Sequence, residues 1–335
     1  MKAIRLVGVS LSLGLGLLVT GGWVQAATPL PNGFTAKVIA YSGETIGGNV
    51  NATGYDVGIY IGPGVHDVTV QDATVTGAND EGILVQDASG IVIKDSIVKD
   101  NAVAPYVGLS EVKGIALVGT SHVLVTRNTV LHNDHGGIGL YDDGPNSPFA
   151  PTAIDLTAVA GVGNVVTDNV VRDNLNDCGI VVSAKNPGGG LYDNVVADNT
   201  VLGFDAAAGD FVPGVGGIIV AGGAFGPVQL VNNMVVDNTV IGGFIPGISL
   251  HAFGPGVITG TMVIGNVLSD NGAGAASHQP TGIEIAAIPH VGVIAGTQIL
   301  HTTVASDYYG VFHTGDSGTH IAELSTVAVT DPIYP

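Results

Sequence analysis

The segment from His132 to Pro148, HNDHGGIGLYDDGPNSP, gathers groups that could do chemistry in a chain with few charges. It holds two histidines, three aspartates and a tyrosine, while only 11% of all residues are charged. Imidazole, phenol and carboxylate groups transfer protons in general acid–base catalysis, and carboxylate oxygens are preferred ligands of calcium. The segment is therefore a candidate active site, a candidate metal site or a polar turn, because Asp-Gly near a proline is also a turn signal.

The candidate residues in and near this segment can exchange protons, bind metals or bond to hydroxyl groups: His132, Asp134, His135, Tyr141, Asp142, Asp143, Asn176, Asp177 and Lys185. The predicted catalytic residues among them are His135, Tyr141, Asp142, Asp143, Asp177 and Lys185. The predicted calcium ligands are Asp142, Asp143 and Asp177. The pair His132-x-x-His135 could also form half of a transition-metal site. The alternative for His132, Asp134, His135 and the Asp142-Asp143 pair is a polar turn position.

Three functions fit these residues, and the sequence leaves all three open. A lyase or epimerase would remove the proton next to a substrate carboxylate, with Tyr141 and His135 as the proton-transferring pair. A glycoside hydrolase would pair Asp142 or Asp143 with Asp177. The third function is a non-enzymatic surface or matrix protein that binds a glycan or calcium through its Asp and Asn turns.

Charge and composition restrict the possible partners. The chain has 9 basic and 28 acidic residues, a net charge of −19. Such a surface repels nucleic acid and anionic membranes, so neither is an expected partner. A polyanionic substrate would need calcium or a local basic cluster. The 46% hydrophobic content argues against disorder, and 52 glycines among many Val and Ile residues favour short strands and tight turns.

The first 26 residues have the pattern of a secretory signal peptide. Lys2 and Arg5 precede the apolar stretch 6–19, and Val24-Gln25-Ala26 resembles a cleavage site. The apolar stretch is shorter than the ~20 residues that a membrane span needs. We therefore expect a secreted or periplasmic protein. Its single cysteine, Cys178, excludes an internal disulfide.

Two repeated elements organise the rest of the chain. The first is Gly-Ile followed by any residue and an apolar one, in GIYI (58–61), GILV (82–85), GIAL (114–117), GIGL (137–140), GIVV (179–182), GIIV (217–220), GISL (247–250) and GIEI (282–285), with GVFH (310–313) as a degenerate copy. The second element is apolar-x-x-Asn-x-apolar-x-x-Asn, as in Val125, Asn128, Val130 and Asn133. The same frame gives Val166, Asn169, Val171 and Asn174, then Leu191, Asn194, Val196 and Asn199, then Leu230, Asn233, Val235 and Asn238, then Val263, Asn266, Leu268 and Asn271, and finally Ala322, Ser325, Val327 and Thr330.

Each element is two to four residues of alternating pattern, which is typical of a short strand. Units this small bury an apolar face only by stacking, so the repeat predicts an all-β, single-stranded parallel β-helix of about nine coils, roughly 43 Å long. The aligned Asn side chains are expected to hydrogen-bond to those above and below. We assign 27–56 to an N-terminal cap and 57–335 to the β-helix domain.

The two elements together resemble the right-handed parallel β-helix repeats of the pectate-lyase-like superfamily. Within it, they resemble the repeats of carbohydrate-binding and sugar-hydrolysing proteins and of periplasmic copper-delivery proteins. The resemblance extends from Val57 to Thr330. It implies the right-handed fold and a polysaccharide or glycan as partner, but not a reaction, since lyases, hydrolases, epimerases, adhesins and inactive scaffolds share the fold.

Irregular spacing between repeats predicts where a site lies, because loops on a rigid scaffold carry function. The step from the second Asn position to the next Gly-Ile is 4 or 5 residues at 78→82, 133→137 and 174→179, but 13 at 101→114, 18 at 199→217, 9 at 238→247 and 11 at 271→282. We expect loops 102–113 and 200–216 to wall a notch at coils three to five, with the inserted segment 141–159 at its floor. Aromatic residues that could serve as sugar platforms beside this notch are Tyr106, Phe149, Phe204 and Phe211.

Overall fold

A computed structural model describes residues 28–334 apart from 31–32, 104–111, 146–157, 205–215, 273–277 and 288–290. The described residues form 35 strands and no α-helix, and none of them lies in a helix that could cross a membrane. The strands form sheets of 12, 18 and 5 members, named here sheet A, sheet B and sheet C. The predicted signal peptide, 1–26, lies outside the described residues.

Sheet A contains the Gly-Ile elements. Its strands are β1 (Thr28–Pro29), β2 (Thr35–Ile39), β4 (Val57–Ile61), β6 (Ile83–Gln86), β9 (Ile115–Val118), β12 (Ile138–Tyr141), β16 (Ile180–Ala184), β20 (Ile218–Gly222), β24 (Ile248–Ala252), β28 (Thr281–Ala287), β32 (Tyr309–Thr314) and β35 (Asp331–Tyr334). β1 runs antiparallel to β2, and the other neighbours are parallel.

Sheet B contains the Asn-bearing elements, arranged as two parallel ladders. The first ladder, B1, contains β7 (Val92–Lys94), β10 (Leu124–Thr126), β14 (Val165–Thr167), β18 (Val195–Ala197), β22 (Met234–Val236), β26 (Met262–Ile264), β30 (Gln298–Leu300) and β33 (His320–Ala322). The second ladder, B2, contains β8 (Ile97–Lys99), β11 (Thr129–Leu131), β15 (Val170–Arg172), β19 (Thr200–Leu202), β23 (Thr239–Ile241), β27 (Val267–Ser269), β31 (Thr303–Ala305) and β34 (Ser325–Val327). β3 (Thr45–Asn51) and β5 (Thr69–Thr76) extend along both ladders.

Sheet C is a short third side that lies between sheet A and ladder B1 along the chain. Its strands are β13 (Gly161–Val162), β17 (Gly190–Tyr192), β21 (Val228–Val231), β25 (Gly256–Thr259) and β29 (Val293–Ala295). A turn that contains a sheet C strand therefore passes sheet A, sheet C, ladder B1 and ladder B2 in that order, and the remaining turns pass directly from sheet A to sheet B. This architecture confirms the predicted parallel β-helix.

The coil begins earlier than expected. Segment 27–56, assigned from the sequence to a cap, contributes β2 and β3, which pair in parallel with β4 and β5. The described part of sheet A has eleven parallel strands and therefore ten turns between β2 and β35, against about nine predicted. The difference arises because β2 and β3 lack the Gly-Ile and Asn signatures that identify the later copies.

The core lies inside the coil. The isoleucine after each Gly-Ile glycine points inward and is fully buried, as at Ile59, Ile83, Ile115, Ile138 and Ile180. These residues occupy matching register positions in successive strands. One coil offers few apolar contacts by itself, so burial of this column depends on the coils above and below.

Asparagine side chains connect the coils at the corners, as predicted. Asn169, between β14 and β15, accepts hydrogen bonds from the backbone N–H and the side-chain amide of Asn128, both at 3.0 Å. Its own amide donates to Asn199 Oδ1 at 3.0 Å and to the carbonyls of Val125 and Thr167. The amide thereby satisfies backbone groups that would otherwise be buried and unpaired at the bend. Equivalent bonds recur at the B1/B2, B2/A and C/B1 corners.

The alignment of the sequence repeat is wrong in the two copies that begin at Leu191 and Leu230, since Val196 pairs with Val166 and Val235 pairs with Val263. Val166 pairs with Val196, whereas the sequence frame placed it opposite Leu191. Asn199 therefore stacks on Asn169, and Asn194 continues a separate row at the C/B1 corner. The slip occurred because the apolar-x-x-Asn pattern is common to three corners, so sequence spacing alone does not identify the corner.

Two later positions also differ from the repeat frame. The B2/A corner that follows β19 carries Phe204, which is 2% exposed, in place of an asparagine. Gly243 follows in the next coil, and a Cβ there would lie 1.8 Å from the Phe204 ring. In the last copy Ile321, and not Ala322, continues the inward row by pairing with Ile299.

Replacement of Asn169 by alanine tests the contribution of the ladder. The change removes five hydrogen bonds and leaves the buried backbone N–H of Asn128 without its acceptor. We expect a loss of about 2–4 kcal/mol in the free energy of unfolding, measured by urea denaturation. The control is Asn49→Ala at an exposed position of β3, where we expect less than about 0.5 kcal/mol. Equal losses in the two variants would contradict a structural role for the ladder.

Candidate functional site

The outer face of sheet A is buried, which no other sheet shows to the same extent. Side chains that alternate with the inward isoleucines form a second apolar cluster, including Leu84, Ala116, Val181 and Ile219. All four are at most 6% exposed. Several polar side chains are buried on the same face: Gln86, Tyr141, Ser249, His251 and Glu284. Polar groups in such a setting need partners, so the contacts of each candidate determine its possible role.

Tyr141 and Lys185 meet at the edge of sheet A that leads toward sheet C. The ammonium group of Lys185 lies 4.8 Å from the centroid of the Tyr141 ring, a cation–π contact. The ring lies over Gly139, where a Cβ would approach within 2.3 Å of it. The second glycine of GIGL, Gly139, is thus explained by the close approach of this aromatic ring.

Asp142 follows directly and holds the next coil in place. Its Oδ1 accepts the backbone N–H of Lys185 at 2.7 Å, and its Oδ2 accepts the backbone N–H of Asn186 at 3.1 Å. The residue is fully buried. Burial raises the pKa of Asp142 to about 6, although the hydrogen bonds from Lys185 and Asn186 act in the opposite direction. The carboxylate therefore has a clear structural role in joining two coils.

Asp143 belongs to a separate buried chain of hydrogen bonds. Its Oδ2 accepts the side-chain amide of Gln86 at 2.7 Å, and Gln86 Oε1 accepts the Tyr60 hydroxyl at 3.0 Å. Burial, together with the nearby carboxylates of Asp87 and Asp143, raises the pKa of Tyr60 to about 12. Asp143 also pairs with Val159 through two backbone hydrogen bonds, which close the inserted segment at its base.

Asp177 lies at the opposite edge of sheet A, where ladder B2 leads into the sheet. Its Oδ2 forms an ion pair with Lys113 Nζ at 2.6 Å, and the Lys113 side chain is fully buried. The ammonium group also donates to the carbonyl of Val112 at 2.9 Å. Burial alone would raise the pKa of Asp177, but the ammonium of Lys113 outweighs it and holds the pKa below its usual range.

Cys178 and His135 are buried at the same edge. The Cys178 sulfur accepts the backbone N–H of Gly216 at 3.3 Å. Burial, followed by the charge of Asp177, raises the pKa of the Cys178 thiol well above its usual value. The thiol therefore stays protonated and behaves as a small apolar group. His135 is 3% exposed in the same corner turn.

The remaining candidates lie on the surface of the B2/A corner. His132 adopts a left-handed backbone conformation, with φ of 52°, and is about half exposed. Its ring lies 3.8 Å from Asp100 and 4.0 Å from Asp173, which hold the same position in adjacent coils. Asn176 donates a hydrogen bond to the backbone carbonyl of Asp134 at 3.0 Å. These contacts are those expected of solvated corner residues.

The structure thus divides the predicted catalytic residues into two groups. Tyr141, Asp142, Asp143 and Lys185 lie at one edge of sheet A, and His135 and Asp177 lie at the other, roughly 15–20 Å away by strand length. The described residues contain no group of three or more His, Cys, Asp or Glu side chains able to hold a metal ion. Asp142, Asp143 and Asp177 therefore do not meet as a calcium site, and Tyr141 does not meet His135.

The observed strand register also changes the lengths of the loops between sheet B and sheet A. Residues 200–202 belong to β19, so the 18-residue step becomes 13 residues from Phe204 to Gly217. The 9-residue step from Asn238 becomes 4 residues from Gly243 to Gly247. Most of both notch walls, and Tyr106, Phe149 and Phe211, lie outside the described residues.

The buried contacts at the two edges of sheet A also involve Lys113 and Tyr60, which the sequence analysis did not select as site residues. Lys113 precedes the glycine of GIAL, and Tyr60 is the variable residue of GIYI. Their partners are 64 and 26 residues away along the chain. A charged residue at a buried corner position was an available signal for Lys113, since a fully buried lysine normally has a partner.

Comparison with known proteins agrees with this architecture. The sequence model for the right-handed β-helix region matches residues 38–286. The chain therefore belongs to the right-handed β-helix family. No curated protein sequence matches it.

Two solved structures illustrate the likeness. The periplasmic alginate epimerase AlgG is 16% identical with a TM-score of 0.55, and the match covers 90% of this chain and 64% of AlgG. PfbA, a surface adhesin of Streptococcus pneumoniae, is 11% identical with a TM-score of 0.50, and the match covers 82% of this chain and 64% of PfbA. This chain thus spans less than two thirds of either protein. At these identities the likeness establishes the fold alone.

The pH dependence of stability tests the burial of Asp142. Its folded-state pKa of about 6 exceeds the unfolded value of ~3.9. The folded protein therefore takes up a proton as the pH falls through this window, and stability from this group rises toward low pH. Asp142→Asn cannot titrate. We expect the wild type to gain about 2 kcal/mol relative to this variant between pH 7.5 and pH 4.5 in urea denaturation. A constant difference between the two proteins would contradict the assignment.

Removal of the buried cation tests the ion pair at the other edge. Lys113→Met leaves the Asp177 carboxylate without its partner, and we expect a loss of about 3 kcal/mol in the free energy of unfolding. Lys99→Met is the control, because Lys99 and Asp100 form a half-exposed pair at 3.5 Å. That change should cost less than about 0.5 kcal/mol. A loss for Lys113→Met no larger than that of the control would refute the structural role of the pair.

Proposed function

We propose that the protein binds a polysaccharide along the outer face of sheet A and does not cleave it. The observation that carries the proposal is the row of polar side chains on β4, β6, β12 and β16 and beside them: Tyr60, Gln86, Tyr141, Asp143 and Lys185. The row crosses four coil steps, about 19 Å. A row of this length suits an extended polymer better than a single small molecule.

The carboxylates support binding over hydrolysis. Glycosidases of both stereochemical types place their two carboxyl groups less than about 10 Å apart. Asp177 lies at the far edge of sheet A from Asp142 and Asp143, and each of the three already accepts hydrogen bonds from the protein. A group that holds two coils together is poorly suited to releasing its partners during a reaction.

A second candidate is proton removal from an acidic sugar, as in a lyase or an epimerase. It is favoured by one observation, the Lys185 ammonium 4.8 Å from the Tyr141 ring centroid. A lysine could neutralise the substrate carboxylate while the phenol exchanges the proton. AlgG, which has the same fold, is an alginate epimerase, and PfbA is an adhesin. The two candidates thus parallel the activities of these two proteins.

Calcium and secretion are further parts of the proposal. An acidic glycan would be repelled by the net charge of −19 unless a divalent cation bridges it to the protein. The signal-peptide pattern of residues 1–26 agrees with a glycan outside the cytoplasm.

Affinity electrophoresis in gels containing alginate, polygalacturonate or a neutral glucan tests the function. We expect retardation by at least one polysaccharide, with or without calcium, and no unsaturated product at 235 nm. Where binding to an acidic polysaccharide occurs, Lys185→Ala should weaken it by roughly 10-fold. Lys94→Ala, which removes the same charge from sheet B, should leave it unchanged.

The same experiment separates the alternatives. Retardation by none of the three polysaccharides would refute glycan binding. Unsaturated product that disappears in Tyr141→Phe, with binding retained, would replace the binding proposal by the lyase. Uronate inversion detected by proton NMR and lost in the same variant would replace it by the epimerase.

A further inference from the structure

A compact group of aromatic side chains lies at β32 and β35, the last two strands of sheet A. The rings of Tyr309, Phe312 and Tyr334 form a triangle with centroid distances of 5.3, 5.0 and 5.2 Å. Tyr308 adds a fourth ring 4.8 Å from Tyr309. Aromatic residues are only 5% of the chain, so four contacting rings within 308–334 are a local concentration.

This aromatic group is accessible. Tyr308 is 39% exposed and Tyr334 is 41% exposed, while Phe312, at 8%, forms the floor. The rings of Phe312 and Tyr334 are nearly parallel, at 6°. Flat, partly exposed rings with hydroxyl groups at their edges present an apolar surface beside hydrogen-bonding groups. Both features match a sugar ring, which has C–H faces and hydroxyl edges.

Polar groups continue the same column of sheet A. Ser249, Glu284, Phe312 and Tyr334 are register neighbours in four successive strands. The Ser249 hydroxyl is completely buried and has no hydrogen-bond partner among the described residues. The next outward residue on β24 is His251, and its Nδ1 also has no hydrogen-bond partner among the residues that the structure describes. A buried polar group without a partner costs about 1–3 kcal/mol, and ligand hydroxyls would remove that cost.

The charge distribution identifies the class of sugar. Residues 186–335 contain no lysine or arginine and eleven acidic residues. An anionic sugar placed there would be repelled by the acidic residues of this part of the chain, which has no lysine or arginine. A neutral sugar has no such penalty, and its hydroxyls can donate to the carboxylates. All nine basic residues lie at or before Lys185.

We propose that this aromatic group, with Glu284 and Ser249, is a second binding site on sheet A that takes neutral sugar residues. The inference extends the proposed function and rests on it. The site lies on β24 to β35, two to five coils beyond β16, so it is separate from the Tyr141 and Lys185 edge. The first site therefore has a cation, Lys185, beside it, whereas the second lies in a part of the chain that has acidic residues and no lysine or arginine.

The test uses the full-length protein and isothermal titration with a neutral oligosaccharide series, cello-, laminari- and malto-hexaose, with tri-galacturonate as the acidic comparison. Tyr308→Ala and Tyr334→Ala should each weaken binding of the neutral ligand by about 10-fold. Tyr334→Phe keeps the ring and should retain binding. Tyr41→Ala, at an exposed tyrosine in the first coil, is the matched control and should leave affinity unchanged.

The outcomes distinguish this inference from the function it extends. Neutral binding that is equal in wild type, Tyr308→Ala and Tyr334→Ala would overturn the second site, while the proposed function would stand. Binding of the acidic ligand alone, insensitive to both variants, would have the same consequence. Binding of none of these ligands, together with no retardation in polysaccharide gels, would overturn both. Self-association of the wild type that is lost in Tyr334→Ala, measured by sedimentation, would assign the aromatic group to a second copy and overturn the sugar site.

Discussion

The structure depends on hydrogen bonds that connect each coil to the next in a fixed register. Backbone bonds do this along the strands, and asparagine amides such as Asn169 do it at the corners. A residue inserted within a strand would turn every following side chain to the opposite face. Extra residues are therefore confined to the corners, where the long connections occur. The same constraint places one outward side chain of each sheet A strand directly above the one before it.

This constraint also explains why acidic residues are poor guides to chemistry in this chain. Asp142 accepts two backbone N–H groups of the next coil, Asp143 accepts Gln86, and Asp177 pairs with Lys113. Each carboxylate satisfies buried donors at a bend, as the asparagines do elsewhere. The polar residues proposed to contact a ligand lie mainly on the outer side of sheet A, where Tyr141 and Gln86 are themselves buried. All nine lysines and arginines lie at or before Lys185, so none follows on the later strands of sheet A.

The fold could be predicted from the sequence because its signal repeats. Eight Gly-Ile copies, with an apolar residue two positions later, define both the strands of sheet A and their inward positions. The alignment of the Asn elements could not be predicted from the sequence, since Asn194 and Asn199 fit the same local pattern at different corners. Contacts such as Lys113 with Asp177 join residues 64 positions apart, and their proximity depends on the exact length of every intervening turn. Phe204 and Gly243 show the same limit, because the Phe204 ring occupies the space that a Cβ at position 243 would need.

The register of sheet B is the claim that positions all of these residues, and cysteine cross-linking measures it directly. Thr167 and Ala197 are Cα partners in adjacent coils, whereas the repeat frame read from the sequence would place Tyr192 opposite Thr167. Under mild oxidation, the double variant Thr167→Cys/Ala197→Cys should form a disulfide, detected by peptide mass spectrometry, since parallel neighbours lie within bridging distance. The double variant Thr167→Cys/Tyr192→Cys should stay reduced. Cross-linking of the second pair and not of the first would contradict the coil register and the placement of both proposed sites.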